Sequence, residues 1–259
     1  MNIVVCVKRV PLTQEVDIEV DASKKDIRKD SLAYFINEWD NYAIEEAVLI
    51  KEKFGGMVTA VNIGNEDDED VLRRCLAMGA DNAIRIDPGD LVPDAFVISR
   101  ILAEVTKDLD YDLVFTGVQA DDENSGIVGI MLAEHLGIAH SAVVIGVEPE
   151  GEVAKIRMEL EGGIDEVAKL QLPALLTIQT GINEPRYVSI MGIRKAAKKE
   201  LDVKKLEDLN LSQDDLMNKT IIEEVFLPPE TAGAEMIEGD PAAVAEKIIR
   251  IVKEKGVNI

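Results

Sequence analysis

Short apolar runs alternate with amphipathic stretches along the first half of the chain. Residues 3–7 form a wholly apolar run, which is typical of a parallel strand that is buried on both faces. Between residues 42 and 54 the apolar positions recur at helical spacing, and Gly55 and Gly56 end the predicted helix. The same reasoning predicts three further strands, at 57–61, 83–86 and 113–117, and three further helices, at 67–78, 94–105 and 126–136.

Strands that alternate with helices of this length predict a parallel sheet with helices on both faces. We therefore expect an α/β fold with a doubly wound, mostly parallel sheet of the adenine-nucleotide-binding type. After an apolar run at 142–145 the pattern changes. Residues 153–156 and 164–167 alternate around Gly162-Gly163 as the strands of a hairpin do, and one more apolar strand follows Pro173. These segments predict an antiparallel hairpin at the edge of the sheet.

The C-terminal part of the chain loses this regular alternation and is rich in charged residues. It ends in one predicted amphipathic helix, with Asp240 as its N-cap and Pro241 at the first helical position. We divide the chain into a nucleotide-binding α/β domain, 1–197, and an extended C-terminal arm, 198–259. Because such an arm cannot bury itself alone, it must lie on its own domain or on a partner, and we expect the arm and its helix to pack on a partner subunit.

The net charge of the chain restricts its partners. Fifty acidic residues against 28 basic ones give a net charge of −22. Nucleic-acid binding requires clustered Lys and Arg, so we expect no nucleic-acid partner. The acidity serves solubility or steers a basic partner. One short segment is basic instead, and it contains Arg194, Lys195, Lys198 and Lys199.

The apolar runs are also too short for a membrane protein. No stretch approaches the roughly 18 consecutive apolar residues of a membrane span. The N-terminus runs directly into a predicted strand and lacks the features of a signal peptide. We therefore expect a cytoplasmic protein.

Common motifs of catalysis and nucleotide binding are missing from the sequence. There is no P-loop, GxGxxG, HExxH or Gly-x-Ser-x-Gly motif, and no Ser/His/Asp or Cys/His set that indicates one site. Cys6 and Cys75 lack the spacing of metal ligands, and we expect them in the core or beside a nucleotide. His135 and His140 fit ordinary polar positions. The sequence therefore predicts neither catalytic residues nor a metal site.

A phosphate site is indicated at the end of the strand 113–117. In open α/β sheets, ligands bind outside the carboxyl ends of the strands, where helix N-termini offer backbone N–H groups. In the segment 117–129, Ser125 is a candidate cap, Gly126 allows a ligand to approach, and Gly129 permits close packing of helix on sheet. An ordinary polar loop explains the same residues. Trp39, the only tryptophan, is likewise either a packing anchor or a residue that stacks on a ligand.

Several segments resemble the β subunit of electron transfer flavoproteins. The most specific is the run 159–174, with Glu-Leu-Glu-Gly-Gly at its start and Leu-Pro-Ala at its end, followed by Asn-Glu-Pro-Arg-Tyr at 183–187. In that family the β subunit pairs with an α subunit that holds most of a redox FAD. The β subunit itself buries AMP or, in the electron-bifurcating branch, a second FAD. Further similar runs, which extend the resemblance over nearly the whole chain, lie at 5–10, 43–47, 75–81 and 117–120.

The resemblance implies a β subunit of a heterodimeric electron carrier. Such a carrier passes electrons from dehydrogenases, for example acyl-CoA dehydrogenases, through FAD to a quinone-linked or other oxidoreductase. It also implies cofactor-binding residues in the first strand, after the second strand, at the start of the first helix, and in the loop and helix after the fourth strand. These residues are Cys6, Asn37, Glu38, Trp39, Asp40, Ile63, Asp122, Glu123, Asn124, Ser125, Gly126, Ile127, Val128, Gly129, Ile130, Met131, Leu132 and Ala133.

A recognition loop that grips dehydrogenases is implied at residues 187–193. Ile190 stands where the family places an anchoring leucine, and an apolar anchor beside basic residues is a plausible docking surface. A loop that packs on its own domain is the alternative. The implied partner-binding residues are Tyr187, Ile190, Met191, Ile193, Arg194 and Lys195.

Some positions depart from the family pattern. Glu38 and Trp39 replace the Pro-Phe that usually follows Asn37, and the loop 122–129 matches neither the simple carriers nor the bifurcating members. We favour AMP in this subunit and expect no catalytic residues, because the flavin carries the chemistry. Two alternatives stay open: an electron-bifurcating subunit with a second FAD that oxidises NADH, and a stand-alone adenine-nucleotide-binding protein.

Overall fold

The computed structural model describes residues 1–14, 16–229, 233–234 and 236–257. Strands and helices alternate along these residues as the sequence pattern predicts. The strands are β1 (Ile3–Cys6), β2 (Arg9–Pro11), β3 (Tyr34–Ile36), β4 (Val58–Ile63), β5 (Asn82–Asp87), β6 (Leu113–Gly117), β7 (Ala139–Glu150), β8 (Val153–Leu160), β9 (Ile164–Gln171), β10 (Ala174–Ile178) and β11 (Asp202–Lys205). The helices are α1 (Glu38–Phe54), α2 (Glu69–Met78), α3 (Ala95–Thr106), α4 (Val128–Leu136), α5 (Ile190–Ala196) and α6 (Pro241–Glu254).

Nine strands form one sheet in the order β11-β5-β4-β1-β6-β10-β7-β8-β9. The seven strands from β11 to β7 run parallel, whereas β8 is antiparallel to both of its neighbours. In β1, Ile3 is in register with Val58 of β4 on one side and with Leu113 of β6 on the other. The predicted doubly wound, mostly parallel sheet with an antiparallel edge hairpin is therefore confirmed.

Both faces of the sheet are covered, because successive residues of a strand point to opposite sides. Ile3 and Val5 of β1 face a core that includes residues of α1 and α2. Val4 and Cys6 face a second core that includes residues of α3 and α4. The wholly apolar run in β1 thus contributes to both cores. Among the described residues, no helix is long and apolar enough to cross a membrane.

Several helix boundaries differ from the prediction. Helix α1 begins at Glu38, so that Trp39 and Asp40 lie in its first turn. The N-cap of α4 is Ile127, which makes no side-chain capping hydrogen bond, so the predicted cap at Ser125 is wrong. Asp94 and Asp240 do cap α3 and α6, as predicted, because each carboxylate accepts amide N–H groups of the first turn.

The recognition segment is partly helical rather than a loop. Helix α5 starts at Ile190, because Ser189 adopts an extended conformation and its hydroxyl accepts the N–H of Gly192 at 3.1 Å. The buried Ala196 holds the helix end against the core that α2 also contacts. The small antiparallel pair β2–β3 was not predicted either, since each strand is only three residues long.

The first part of the predicted arm lies on its own domain. Strand β11 pairs in parallel with β5 and extends the large sheet. Leu206, Leu209, Leu211 and Leu216 then pack on the core beneath α3 and α4. The division of the chain at 197/198 and the packing of the arm on a partner stay predictions, and residues 230–232, 235 and 258–259 of the arm lie outside the described residues.

Candidate functional site

A cleft opens at the carboxyl ends of β1, β4 and β6 and has a volume of about 340 Å³. Its position follows the rule that ligands of open α/β sheets bind where parallel strands end. The floor includes Cys6 of β1, Ile63 of β4 and Gly117 of β6. The N-terminal turn of α4 and the loop before it form one wall.

Eleven of the eighteen predicted cofactor-binding residues line this cleft. They come from four separate parts of the chain, which the fold brings together. They are Cys6, Asn37, Asp40, Ile63, Asp122, Glu123, Ser125, Gly126, Ile127, Val128 and Gly129.

The other seven predicted residues do not line the cleft. Leu132 and Ala133 are fully buried in the core beneath α4. The indole N–H of Trp39 donates to Oε1 of Gln179 at 2.8 Å, which favours the packing role for this side chain. Glu38, Asn124, Ile130 and Met131 are also not among the residues that line the cleft.

Asp40 joins two of the strand ends that form the floor. Its Oδ2 accepts the backbone N–H of Lys8 at 2.8 Å, and its Oδ1 accepts the N–H of Gly117 at 2.9 Å. The side chain is almost completely buried. Burial raises the pKa of this carboxyl to about 7, although the hydrogen bonds from Lys8, Asn37 and Gly117 act in the opposite direction. A Cβ on Gly117 would lie 2.5 Å from Oδ1 of Asp40, so only glycine fits this junction.

Asn37 fixes the loop that follows β6. Its Nδ2 donates to the carbonyl of Gln119 at 2.8 Å, and its Oδ1 accepts the N–H of Asp121 at 3.1 Å. The backbone N–H of Asn37 donates to the carbonyl of Lys8 at 2.8 Å. Asn37 and Asp40 together connect the start of α1 to the ends of β1 and β6, and this arrangement determines the shape of the cleft floor.

The first turn of α4 offers hydrogen-bond donors to a ligand. Because Ile127 provides no side-chain cap, no described side chain accepts the N–H groups of Val128 and Gly129. Such groups, aligned with the helix dipole, attract phosphate. The tight packing expected at Gly129 is present, since a Cβ there would lie 2.5 Å from Oγ1 of Thr116.

The charges at the cleft mouth are largely paired. Nζ of Lys8 lies 2.8 Å from Oδ1 of Asp122 and 3.0 Å from Oε1 of Glu123. Burial alone would lower the pKa of Lys8, but the two carboxylates outweigh it and raise the pKa above its usual value. This pairing reduces the repulsion that the acidic loop would otherwise exert on a phosphate.

Neither cysteine has the properties of a reactive thiol. Burial, together with the charge of Asp40, raises the pKa of Cys6 to about 12. Cys75 of α2 is fully buried in the core that includes residues of α1 and α2, and burial raises the pKa of its thiol as well. Thiolates are the reactive form, so both side chains act as small apolar groups. This agrees with the expected core or cleft positions.

Part of the cleft wall was missed from the sequence. The loop after β5 contributes Pro88, Val92 and Pro93, and α3 contributes Ile98 and Leu102. The strand-end rule would have indicated this loop, because β5 is also a parallel strand of the sheet. Two basic residues were missed as well, Lys8 after β1 and Lys29 in the loop before β3.

The predicted partner-binding residues form an exposed surface on and before α5. Tyr187, Ile190 and Met191 are 89%, 67% and 81% exposed, respectively. Exposed apolar groups of this size, clustered in one place, are typical of an interaction site. Arg194 and Lys195 extend from the last turn of the same helix into solvent.

The segment before α5 is held on α1 by Arg186. The guanidinium of Arg186 contacts Glu45 at 2.9 Å and Glu52 at 2.8 Å. The backbone N–H of Arg186 donates to Oε2 of Glu45 at 3.1 Å. The Glu45 side chain is only 3% exposed. Asn183 adds a hydrogen bond to Oε2 of Glu46 at 2.9 Å. These contacts fix the position from which the exposed surface begins.

Comparison with known proteins gives one consistent family. A model of the electron transfer flavoprotein domain matches residues 27–209. The chain is 39% identical over 257 residues to a Bacillus subtilis protein, and 40% identical over 262 residues to one from Methylophilus methylotrophus. Both relatives are named electron transfer flavoprotein subunit beta, and each match covers 98% of both chains. An Acetobacterium woodii protein named caffeyl-CoA reductase-Etf complex subunit CarD is 33% identical over 99% of this chain and 100% of its own.

Proposed function

This chain belongs to the electron transfer flavoprotein family and is similar to its β subunits over nearly its whole length, and from that premise we propose that it binds AMP in the strand-end cleft and forms an electron carrier with an α subunit. The β subunits of this family pair with an α subunit, and the family acts in flavin-linked electron transfer. The residues of the cleft support the assignment of the nucleotide.

The cleft geometry is the observation that carries this proposal. A volume of about 340 Å³ lies at the lower end of the range of roughly 300–1,000 Å³ that small-molecule sites occupy. This volume supports a mononucleotide over a complete FAD. The unpaired amides of Val128 and Gly129 suit a phosphate, and Val61, Ile63 and Leu102 offer apolar surface to a base.

The residues of this chain have binding and positioning roles in the proposal. The flavin, held mainly by the α subunit, supplies the redox chemistry when it is bound. Asp40 and Asn37 hold the cleft floor, and the first turn of α4 holds the phosphate. No described residue is needed as a general acid, base or nucleophile, and the two thiols are buried and protonated.

The exposed surface on α5 is the proposed docking site for an electron donor. Ile190 and Met191 provide an apolar centre, and Arg194 and Lys195 provide the charged rim that orients a partner. We propose dehydrogenases, such as acyl-CoA dehydrogenases, as donors and a quinone-linked or other oxidoreductase as acceptor. The terminal helix α6 of the C-terminal arm packs on the α subunit, and the heterodimer works in the cytoplasm.

The stoichiometry of bound nucleotides tests the proposal. This chain is co-expressed with its α subunit, the purified complex is denatured, and the released FAD and AMP are counted. We expect one FAD and one AMP per heterodimer. Two FAD and no AMP would instead establish the electron-bifurcating alternative, in which this chain holds a second FAD that oxidises NADH. A stable monomer that binds AMP and ignores the α subunit would establish the stand-alone alternative.

A further inference from the structure

Two loops outside the large sheet contribute outer parts of the cleft wall. The loop after β5 supplies Pro88, Val92 and Pro93, and the loop before β3 supplies Lys29. Neither loop is held by the strand pairing that fixes the cleft floor. The position of each loop therefore depends on contacts with other parts of the chain.

The first loop is tied to residues 218–220 by five hydrogen bonds. Asn218 accepts the N–H of Asp94 through Oδ1 at 2.8 Å and donates to the carbonyl of Val92 through Nδ2 at 2.9 Å. Oδ2 of Asp94 accepts the N–H of Lys219 at 2.6 Å, and the N–H and hydroxyl of Thr220 at 2.9 and 3.1 Å. The other oxygen of Asp94 caps α3 through the N–H of Val97 at 3.0 Å. The carboxylate of Asp94 thus holds both the start of α3 and the backbone of residues 219–220.

The second loop, before β3, is tied to residues 222–225 of the same C-terminal segment. Nζ of Lys25 donates to the carbonyls of Ile222, at 2.6 Å, and Glu223. The N–H of Val225 donates to the carbonyl of Lys24 at 2.8 Å, and Nζ of Lys24 lies 2.9 Å from Oε1 of Glu224. Residues 218–225 therefore connect the two loops that form the outer cleft wall.

We infer that residues 218–225 are a strap that holds both outer walls of the cleft in place, with Asp94 and Asn218 as positioning residues that control how fast the nucleotide leaves. This inference rests on the proposed nucleotide site and adds to it a determinant far away in sequence. The strap belongs to the C-terminal arm, whereas the walls belong to the α/β domain. Loosening the strap should speed nucleotide release without changing any residue that lines the cleft.

The test compares AMP release from complexes of this chain with its α subunit. In Asn218→Ala the two hydrogen bonds to Val92 and Asp94 are lost, while the cap of α3 and every lining residue remain. We expect the exchange of bound AMP for labelled AMP to become at least about fivefold faster. Thr220→Val removes a single hydrogen bond from the same tie and should give a smaller increase, which keeps the test possible if the first variant does not fold.

Ser212→Ala is the matched control in the same arm. Among the described residues, the hydroxyl of Ser212 forms hydrogen bonds with Asp215, at 2.7 and 3.2 Å, and none with either cleft loop. We expect AMP exchange at the wild-type rate in this variant. Unchanged exchange in Asn218→Ala, or equally accelerated exchange in Ser212→Ala, would overturn the strap.

Hydrogen exchange separates this inference from the proposed function. If the wild-type complex releases no AMP on denaturation, the proposed nucleotide is wrong, but the strap is still testable. Backbone amides in 88–94 should then exchange faster in Asn218→Ala than in wild type, and those of β1 should not. Equal protection of 88–94 in both proteins would show that the strap does not hold this wall.

Discussion

The carboxylate of Asp40 is unusual because it is buried and still carries the contacts that join two strand ends. Its two oxygens accept the N–H groups of Lys8 and Gly117, and the nearest cation, Nζ of Lys8, is directed to Asp122 and Glu123. The thiols of Cys6 and Cys75 are its other titratable neighbours. Burial without a dedicated cation raises the pKa of Asp40 to about 7.

This raised pKa gives a stability change that can be measured. In the unfolded chain an aspartate has a pKa of about 3.9, so between about pH 4 and pH 7 the folded protein holds one proton more than the unfolded one. The stabilising contribution of the protonated group is therefore complete below pH 4 and is lost as pH rises to about 7. Relative to Asp40→Asn, the free energy of unfolding of the wild type should fall by up to about 1.4 kcal/mol per pH unit in this window.

Urea unfolding of both proteins at pH 5, 6, 7 and 8 checks this expectation. Asp21→Asn is a suitable control because the pKa of Asp21 is lowered by the hydroxyl of Ser23, and its titration lies below this range. The difference between wild type and Asp40→Asn should level off above pH 7. Parallel stability curves across the whole range would contradict the assignment.

Single residues also show which of the predicted site residues the fold brings to the cleft. Residues such as Asp40 and Ile63 lie at strand or helix ends, where chain topology alone brings them to the cleft. A continuous run such as 122–133 cannot line a cleft throughout, because successive helical residues turn by about 100°. Ile127 to Gly129 face the cleft, whereas Leu132 and Ala133 face the core.

At the level of elements, the position of the proposed docking surface depends on how the segment before α5 is attached to α1. Arg186 forms a bridge between Glu45 and Glu52, and these contacts raise its pKa above the usual value for arginine. Glu45 is buried, so removal of the guanidinium would leave its carboxylate without a cation, with the backbone N–H of residue 186 still donating to it. The contacts of Arg186 with α1 therefore fix the position of the segment that leads into α5.

Arg186→Ala should lower the free energy of unfolding by about 2–3 kcal/mol, a value reduced from that of a fully buried pair because Arg186 is partly exposed. Arg28→Ala serves as a control, since Arg28 and Glu19 form an exposed pair and should contribute no more than about 1 kcal/mol. Chemical denaturation of both variants measures the difference. Equal losses in the two variants would show that the Arg186 bridge is only a surface pair.

The elements missed from the sequence are the short ones. Strands β2, β3 and β11 contain three or four residues each, which is too few to show a period-2 pattern. Strand β11 carries the charged sequence Asp-Val-Lys-Lys and is a strand only because β5 offers it an edge. Long elements such as α1 and the hairpin β8–β9 were predicted because their patterns repeat several times.

Over the whole molecule, the proposed docking surface differs from the rest of the protein in the sign of its charge. The net charge is −22, so an acidic partner is repelled by most of the protein. Arg194, Lys195 and Lys198 are exposed, and among the described residues none of them forms an ion pair. This small basic area is therefore where a donor with acidic groups around its own docking site would bind.

Ionic strength separates the local attraction from the overall repulsion. Salt at 0.1 M limits electrostatic interactions to about 10 Å, and higher salt weakens even neighbouring exposed pairs. The rate at which a donor dehydrogenase reduces the carrier should fall between 0.05 and 0.5 M salt in the wild type, because attraction at the basic area is lost. In Arg194→Gln/Lys195→Gln most of this attraction is removed, because Lys198 is the one cation left of the three, so that the rate should be lower at low salt and fall less steeply as salt is added. Bound flavin and thermal stability should stay at wild-type values, since both side chains extend into solvent. A fall with salt of the same size in both proteins would place the donor on another part of the surface.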